Sequence, residues 1–123
     1  MIRIVLLLAM LAVVMLAGGS TQAEQVAAVE EPTMADCTKA LEHGRSKARQ
    51  LSPKSLSRYF ADRFLQTAET EANNGEYDSC VEYSEKAVDE VENRWHWLAP
   101  GETFRVTTST GYLELRGDDQ DGQ

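Results

Sequence analysis

Two cysteines place the tightest limit on how this chain can fold. Cys37 and Cys80 stand 43 positions apart in a sequence of 123 residues. Each falls about one turn inside a stretch of helical periodicity. In an up-down-up bundle the first and third helices run the same way, so both thiols sit at one end, on inward-facing stripes. A disulfide needs Cα atoms roughly 4.4–6.8 Å apart, and this layout can meet that requirement. The bridge would close a loop of about 43 residues and stabilise a small domain by about 4 kcal/mol through loop-closure entropy. The competing states are two reduced, buried thiols, an intermolecular pair, or a redox-active pair. The absence of Cys-x-x-Cys spacing argues against the redox-active pair.

Compartment bears on that choice. Met1-Ile2-Arg3 is a short basic start, followed by 14 apolar residues from Ile4 to Ala17 and a small-residue exit, Thr21-Gln22-Ala23. This order predicts a signal peptide over residues 1–23, cleaved after Ala23. The alternative is an uncleaved anchor, but a span takes about 20 apolar residues and this run is shorter. No membrane span is expected after cleavage. The compact signal points to a bacterium and so to a periplasmic product, with a secreted eukaryotic protein as the alternative. An oxidising compartment favours the bridged form of Cys37 and Cys80. A net charge of −8 sets up a field that repels nucleic acid, so no nucleic-acid partner is expected.

Residues 24–32 form a polar, flexible lead. Thr33 can cap a first helix, with Asp36 three residues on to reach back. From there Met34, Cys37, Leu41, Gly44, Ala48 and Leu51 follow one another at helical spacing, with Gly44 a weak point of about 1 kcal/mol. Ser52-Pro53 marks a stop and a restart, predicting a second helix from Pro53 to Ala72. Its apolar face is Leu56, Phe60, Phe64, Ala68 and Ala72, widened by Tyr59 and Leu65. Asn73-Asn74-Gly75 breaks it. A third helix follows from Tyr77 to Arg94, with Tyr77, Cys80, Val81, Ala87, Val88, Val91 and Trp95 facing inward. After Pro100-Gly101 the period changes to two, and Thr103–Thr107 with Tyr112–Arg116 read as a β-hairpin around Ser109-Thr110-Gly111. The folded domain is therefore expected over residues 33–116, with residues 117–123 a disordered acidic tail. The fold class is mainly α: a three-helix up-down-up bundle with one disulfide and a small C-terminal β-hairpin.

Gly75-Glu76-Tyr77 at the turn, small residues at Cys80 and Ala87, and Tyr83 beside Ser84 resemble the second half of a tetratricopeptide repeat. Phe64 and Ala68 align with the first half, while Thr67 and Glu71 depart from it. The resemblance spans about residues 62–92, a single repeat, and no second copy is present. It implies a helical hairpin and protein binding, without catalysis. Helix 1 would supply the packing that neighbouring repeats normally give.

Little else carries chemistry. No nucleophile stands with a base, so no catalytic residue is assigned and the chain is read as no enzyme. His43 and His96 lack the closely spaced partners of a zinc site, and Asp118, Asp119 and Asp121 lack the pattern of a calcium loop. No metal and no cofactor are expected. Trp95-His96-Trp97 is the most unusual cluster. Trp95 is expected to close the core at the end of helix 3 and Trp97 to pack under the hairpin. If exposed, they would anchor a partner together with Tyr59 and Tyr83. Residues 39–63 hold seven basic and two acidic side chains, and residues 64–92 hold one and nine. Internal pairing is expected to absorb this imbalance. A two-signed docking surface, with Glu82, Glu85, Asp89 and Glu92 on the outer face of helix 3, is the alternative. These features together suggest an exported, non-catalytic interaction or assembly module with an envelope protein as partner. A small-ligand or metal carrier is the alternative. Thiol labelling of unreduced, denatured protein should find no reactive cysteine; two labelled thiols would contradict the bridge.

Overall fold

The computed structural model describes residues 29–120. The expected signal peptide, most of the flexible lead and the last three residues lie outside that range. Three helices, α1 (Met34–Ala48), α2 (Leu56–Asn73) and α3 (Tyr77–Asn93), precede two strands, β1 (Thr103–Thr108) and β2 (Gly111–Arg116). Local chemistry sets most of these boundaries. Thr33 and Asp36 form a capping box at α1, and the Thr33 hydrogen bonds hold the Asp36 carboxyl below its usual range. Asn74 and Gly75 end α2 in a Schellman turn. The Glu76 amide donates to the Glu71 carbonyl at 2.9 Å and the Gly75 amide to that of Ala72 at 3.1 Å, with Gly75 at φ 82°.

The restart at proline lies later than the sequence indicates. Ser52 and Pro53 belong to a turn, where the Ser52 hydroxyl accepts from the Lys54 amide, and Ser55 caps α2 instead. The proline thus sits ahead of the first turn, where its fixed φ shapes the approach.

The sulfurs of Cys37 and Cys80 are bonded, with Cα atoms 5.6 Å apart and both side chains buried. At the other end Lys47 of α1 meets Glu92 of α3 at 2.9 Å. These two ties fix α1 and α3 as parallel neighbours. Helix α2 runs antiparallel to both: its start lies against the end of α1, where Arg58 donates to the Ala48 carbonyl at 2.9 Å. Arg45 also pairs with Glu69, so the basic early chain is answered from within the fold by the acidic later chain. Among the described residues, no helix is long and apolar enough to cross a membrane.

The inward faces differ from the expected ones in phase. In α2 the fully buried positions are Leu56, Ser57, Ala61, Leu65 and Ala68, whereas Phe60, Phe64 and Ala72 are only partly covered. A helix flanked on two sides needs small residues where its neighbours come closest, and the two phenylalanines fill the margins. In α3, Ser84 and Glu90 join Cys80, Ala87 and Val91 in the interior; the Ser84 hydroxyl donates to the Cys80 carbonyl at 2.8 Å. Met34, in the first turn of α1, is exposed.

Strands β1 and β2 pair antiparallel, with Phe104 opposite Leu115 and Val106 opposite Leu113. Leu115 is buried, and the Phe104 ring meets those of Tyr59 and Phe60. On the other face Glu114 binds both Arg105 and Arg116, which hold its carboxyl below the usual range. The expectation of a disordered tail fails at its first residues. Gly117–Asp119 form a 3-10 turn, and Gln120 docks beyond it. The Gln120 Oε1 accepts from the Leu56 amide at 2.8 Å, while its Nε2 donates to the carbonyls of Lys54 and Arg116. Specific hydrogen bonds to a helix start outweigh the acidic composition.

At Gly44, α1 lies close against both of its neighbours. A Cβ there would lie 2.7 Å from Leu65 Cδ2, and 3.4 Å from the Ser84 carbonyl of α3. Gly44→Val should therefore destabilise the fold by about 1–3 kcal/mol despite the better helix propensity; chemical denaturation with the disulfide intact measures it.

Candidate functional site

The site begins with an acid on the wrong side of a helix. Glu90 lies on the inward stripe of α3, three residues after Ala87 and next to Val91, and is 2% exposed. A carboxylate so placed costs several kcal/mol unless donors meet it. The chain supplies them by turning back. Arg94 closes α3 in the left-handed conformation at φ 51°, which brings His96 over the helix end.

There the His96 amide donates to Glu90 Oε1 at 3.1 Å, and Nδ1 lies 2.8 Å from Oε2, where an acceptor carboxylate selects the tautomer that carries its proton on Nδ1. The imidazole stacks on Phe60 with ring centroids 3.9 Å apart and planes 23° from parallel. Ser57 of α2 donates to the His96 carbonyl at 2.7 Å. Backbone, ring face and one ring nitrogen are therefore all held. Nε2 remains, on a side chain that is 43% exposed.

His96 also borders a crevice of about 230 Å³, together with Ser55, Ser57, Arg94, Trp97, Leu98, Pro100 and Gln120. Helix α2 contributes its capped start, the segment after α3 its aromatic and apolar wall, and the C-terminal turn its amide. A carboxylate that fixes one imidazole nitrogen and leaves the other open is an arrangement suited to holding a ligand or passing a proton. Ser57, though adjacent, spends its hydroxyl on a carbonyl.

Placement of the expected residues is uneven. His96 faces inward to Glu90, and the tryptophans on either side of it turn out to solvent. Trp95 is 65% exposed and Trp97 55%, so neither closes the core nor sits covered beneath the hairpin. The left-handed turn at Arg94 takes Trp95 off the inward line of α3; its indole Nε1 instead donates to Asp89 on the outer face at 2.7 Å. Phe60 and His96 fill the place expected for it. Tyr59 is half-buried against Phe60 and Phe104. Tyr83 is half-buried on α3 with Lys86 over its ring. Cys37 and Cys80 are buried in their bridge and take no part.

Sequence reasoning missed Glu90, Phe60, Ser57 and Gln120 as members of the site. One signal was present: an acid interrupting an apolar stripe six residues before the histidine. Among the described residues, no group of three or more His, Cys, Asp or Glu side chains could hold a metal ion.

Glu90→Gln would keep the shape and remove the charge, turning an acceptor of two N–H groups into a mixed donor and acceptor. A loss of about 1–3 kcal/mol in stability is expected, together with loss of the fixed Nδ1–H tautomer of His96 in the nitrogen spectrum of the ring.

Set against known proteins, the chain matches no family model, no curated protein and no solved structure.

Proposed function

We propose that this chain is an exported, non-catalytic interaction or assembly module of the bacterial cell envelope, working in the periplasm and binding another envelope protein through Trp95 and Trp97. One observation carries the reading: two indoles stand out in solvent on a segment that is otherwise fixed. Asp89 holds Trp95, and the intervening His96 is held by Glu90, Phe60 and Ser57. Exposed tryptophan is costly to leave in water and is enriched where partners bind most strongly. A segment ordered in advance loses little entropy on binding. The buried disulfide accords with an oxidising compartment. The hairpin of α2 and α3, with Cys80, Ser84 and Ala87 buried on α3, supports the likeness to a single tetratricopeptide unit, which implies protein binding. The crevice beside His96 favours a second reading, a carrier of a small ligand.

A photo-crosslinking residue placed at Asn93, which shares Asp89 with the Trp95 indole, should give one recurrent adduct with an envelope protein in living cells. Trp95→Ala and Trp97→Ala should each weaken that adduct about tenfold or more without lowering the melting temperature. Folded variants that leave adduct formation unchanged would overturn the partner reading.

A further inference from the structure

We propose that the face shared by α1 and α3 pairs two copies of this chain about a two-fold axis running along the helices. The proposal stands apart from the partner reading of Trp95 and Trp97. The Cys37–Cys80 bond holds the two parallel helices at a fixed spacing, and a groove of about 260 Å³ lies between them, its described walls drawn from these two helices alone. Helix α1 contributes Lys39, Ala40 and His43, and α3 contributes Val81, Glu85 and Val88, both sets at helical spacing. Ala40, Val81 and Val88 make an apolar floor that is only partly covered. One turn further along the same lines, Lys47 and Glu92 already join the helices at 2.9 Å, so the charges left for a partner are the earlier ones. Glu85 and His43 have no hydrogen-bond or ion-pair partner among the described residues. Lys39 acts only through space on Asp36, the acid on the α1 side, whose carboxylate Thr33 already engages.

The signs of the rim select the occupant. Its basic groups stand on α1 and its unpaired acid on α3, so the face complements itself rather than a partner of one sign. Rotating a copy about an axis along the helices sets α1 of one protomer over α3 of its partner, parallel and at the same height. Cys37 and Cys80 mark equal heights on the two helices. With a rise of about 1.5 Å per residue, Lys39 and His43 then fall within about 5 Å of Glu85 along the axis. Each basic-to-acidic contact occurs twice in such a pair. An axis across the helices would instead bring Glu85 towards its own copy and Lys39 towards His43, which like charges disfavour. The face is about 20 Å wide and about 16 Å long between residues 36 and 47. That extent belongs with small, transient interfaces and implies a dissociation constant of about 100 µM.

Sedimentation equilibrium of the purified protein, from about 10 µM to about 1 mM, reads the pairing directly. Lys39→Glu and Glu85→Lys probe it without disturbing the core, since both positions are exposed and both residue types are good helix formers. Each variant puts like-charge contacts into the pair twice over and should weaken it about tenfold or more. An equimolar mixture of the two variants recreates opposite-sign contacts between Lys39 or its replacement and position 85, and should associate within about threefold of the native protein. Glu85→Lys is the sharper arm. It reduces a net charge of −8 and would strengthen association if only the general field mattered. A native protein that stays monomeric to about 1 mM, tighter association of Glu85→Lys, or a mixture as weak as its components would each overturn the proposal. Loss of the Asn93 adduct in both variants, with the native protein monomeric throughout, would overturn it by assigning the face to the envelope partner.

Discussion

The bond between Cys37 and Cys80 is the constraint on which the remaining structure rests. Without it α1 would be held to the hairpin of α2 and α3 by a narrow seam of alanines, a glycine and a few leucines. Such a seam buries little area per residue, and its advantage is close approach rather than bulk. Loop-closure entropy makes up the difference, because the covalent tie restricts the unfolded chain most where the loop is long. The ion pair between Lys47 and Glu92 at the far end then needs only to set direction. Surface pairs of that kind are individually weak, which suits a role in alignment rather than in cohesion.

Fixing α3 in this way also fixes Glu90. A carboxylate pointing into a helical seam is tolerable because α3 stops three residues later and the chain folds back with two N–H groups from one histidine. The tryptophans on either side face outward as a geometric result of that fold-back, since neighbours of an inward residue in extended chain point the other way. One buried charge therefore accounts for the ordered imidazole, for the crevice wall and for both exposed indoles.

Much of the scaffold was legible in the residues. The capping box at Thr33, the break at Asn74-Gly75, the change of period after Gly101 and the meeting of the two cysteines all follow from local chemistry or helical phase. The failures have physical reasons too. Two stripes overlap on α2: Leu56, Leu65 and Ala68 belong to both, while one adds Phe60 and Phe64 and the other Ser57 and Ala61. Hydrophobicity favours the first, while close packing between two neighbours selects the second. The left-handed residue that ends α3 is an arginine, a type that gives no sign of adopting such a conformation. Extending the helix through it sent Trp95 to the core on paper. Glu90 was visible only as an irregularity, since its partner follows a turn that the sequence does not announce.

Gln120 shows how much can hang on a single atom. Its Nε2 points at two carbonyl oxygens, those of Lys54 and Arg116, and its Oε1 receives the Leu56 amide. Hydrolysis of that amide to an acid, a slow form of chemical ageing, would set an oxygen where the nitrogen stands. Two attractions would become repulsions, and the strand end would be unfastened from the helix it secures. The durability of this corner is thus governed by the shelf life of one carboxamide.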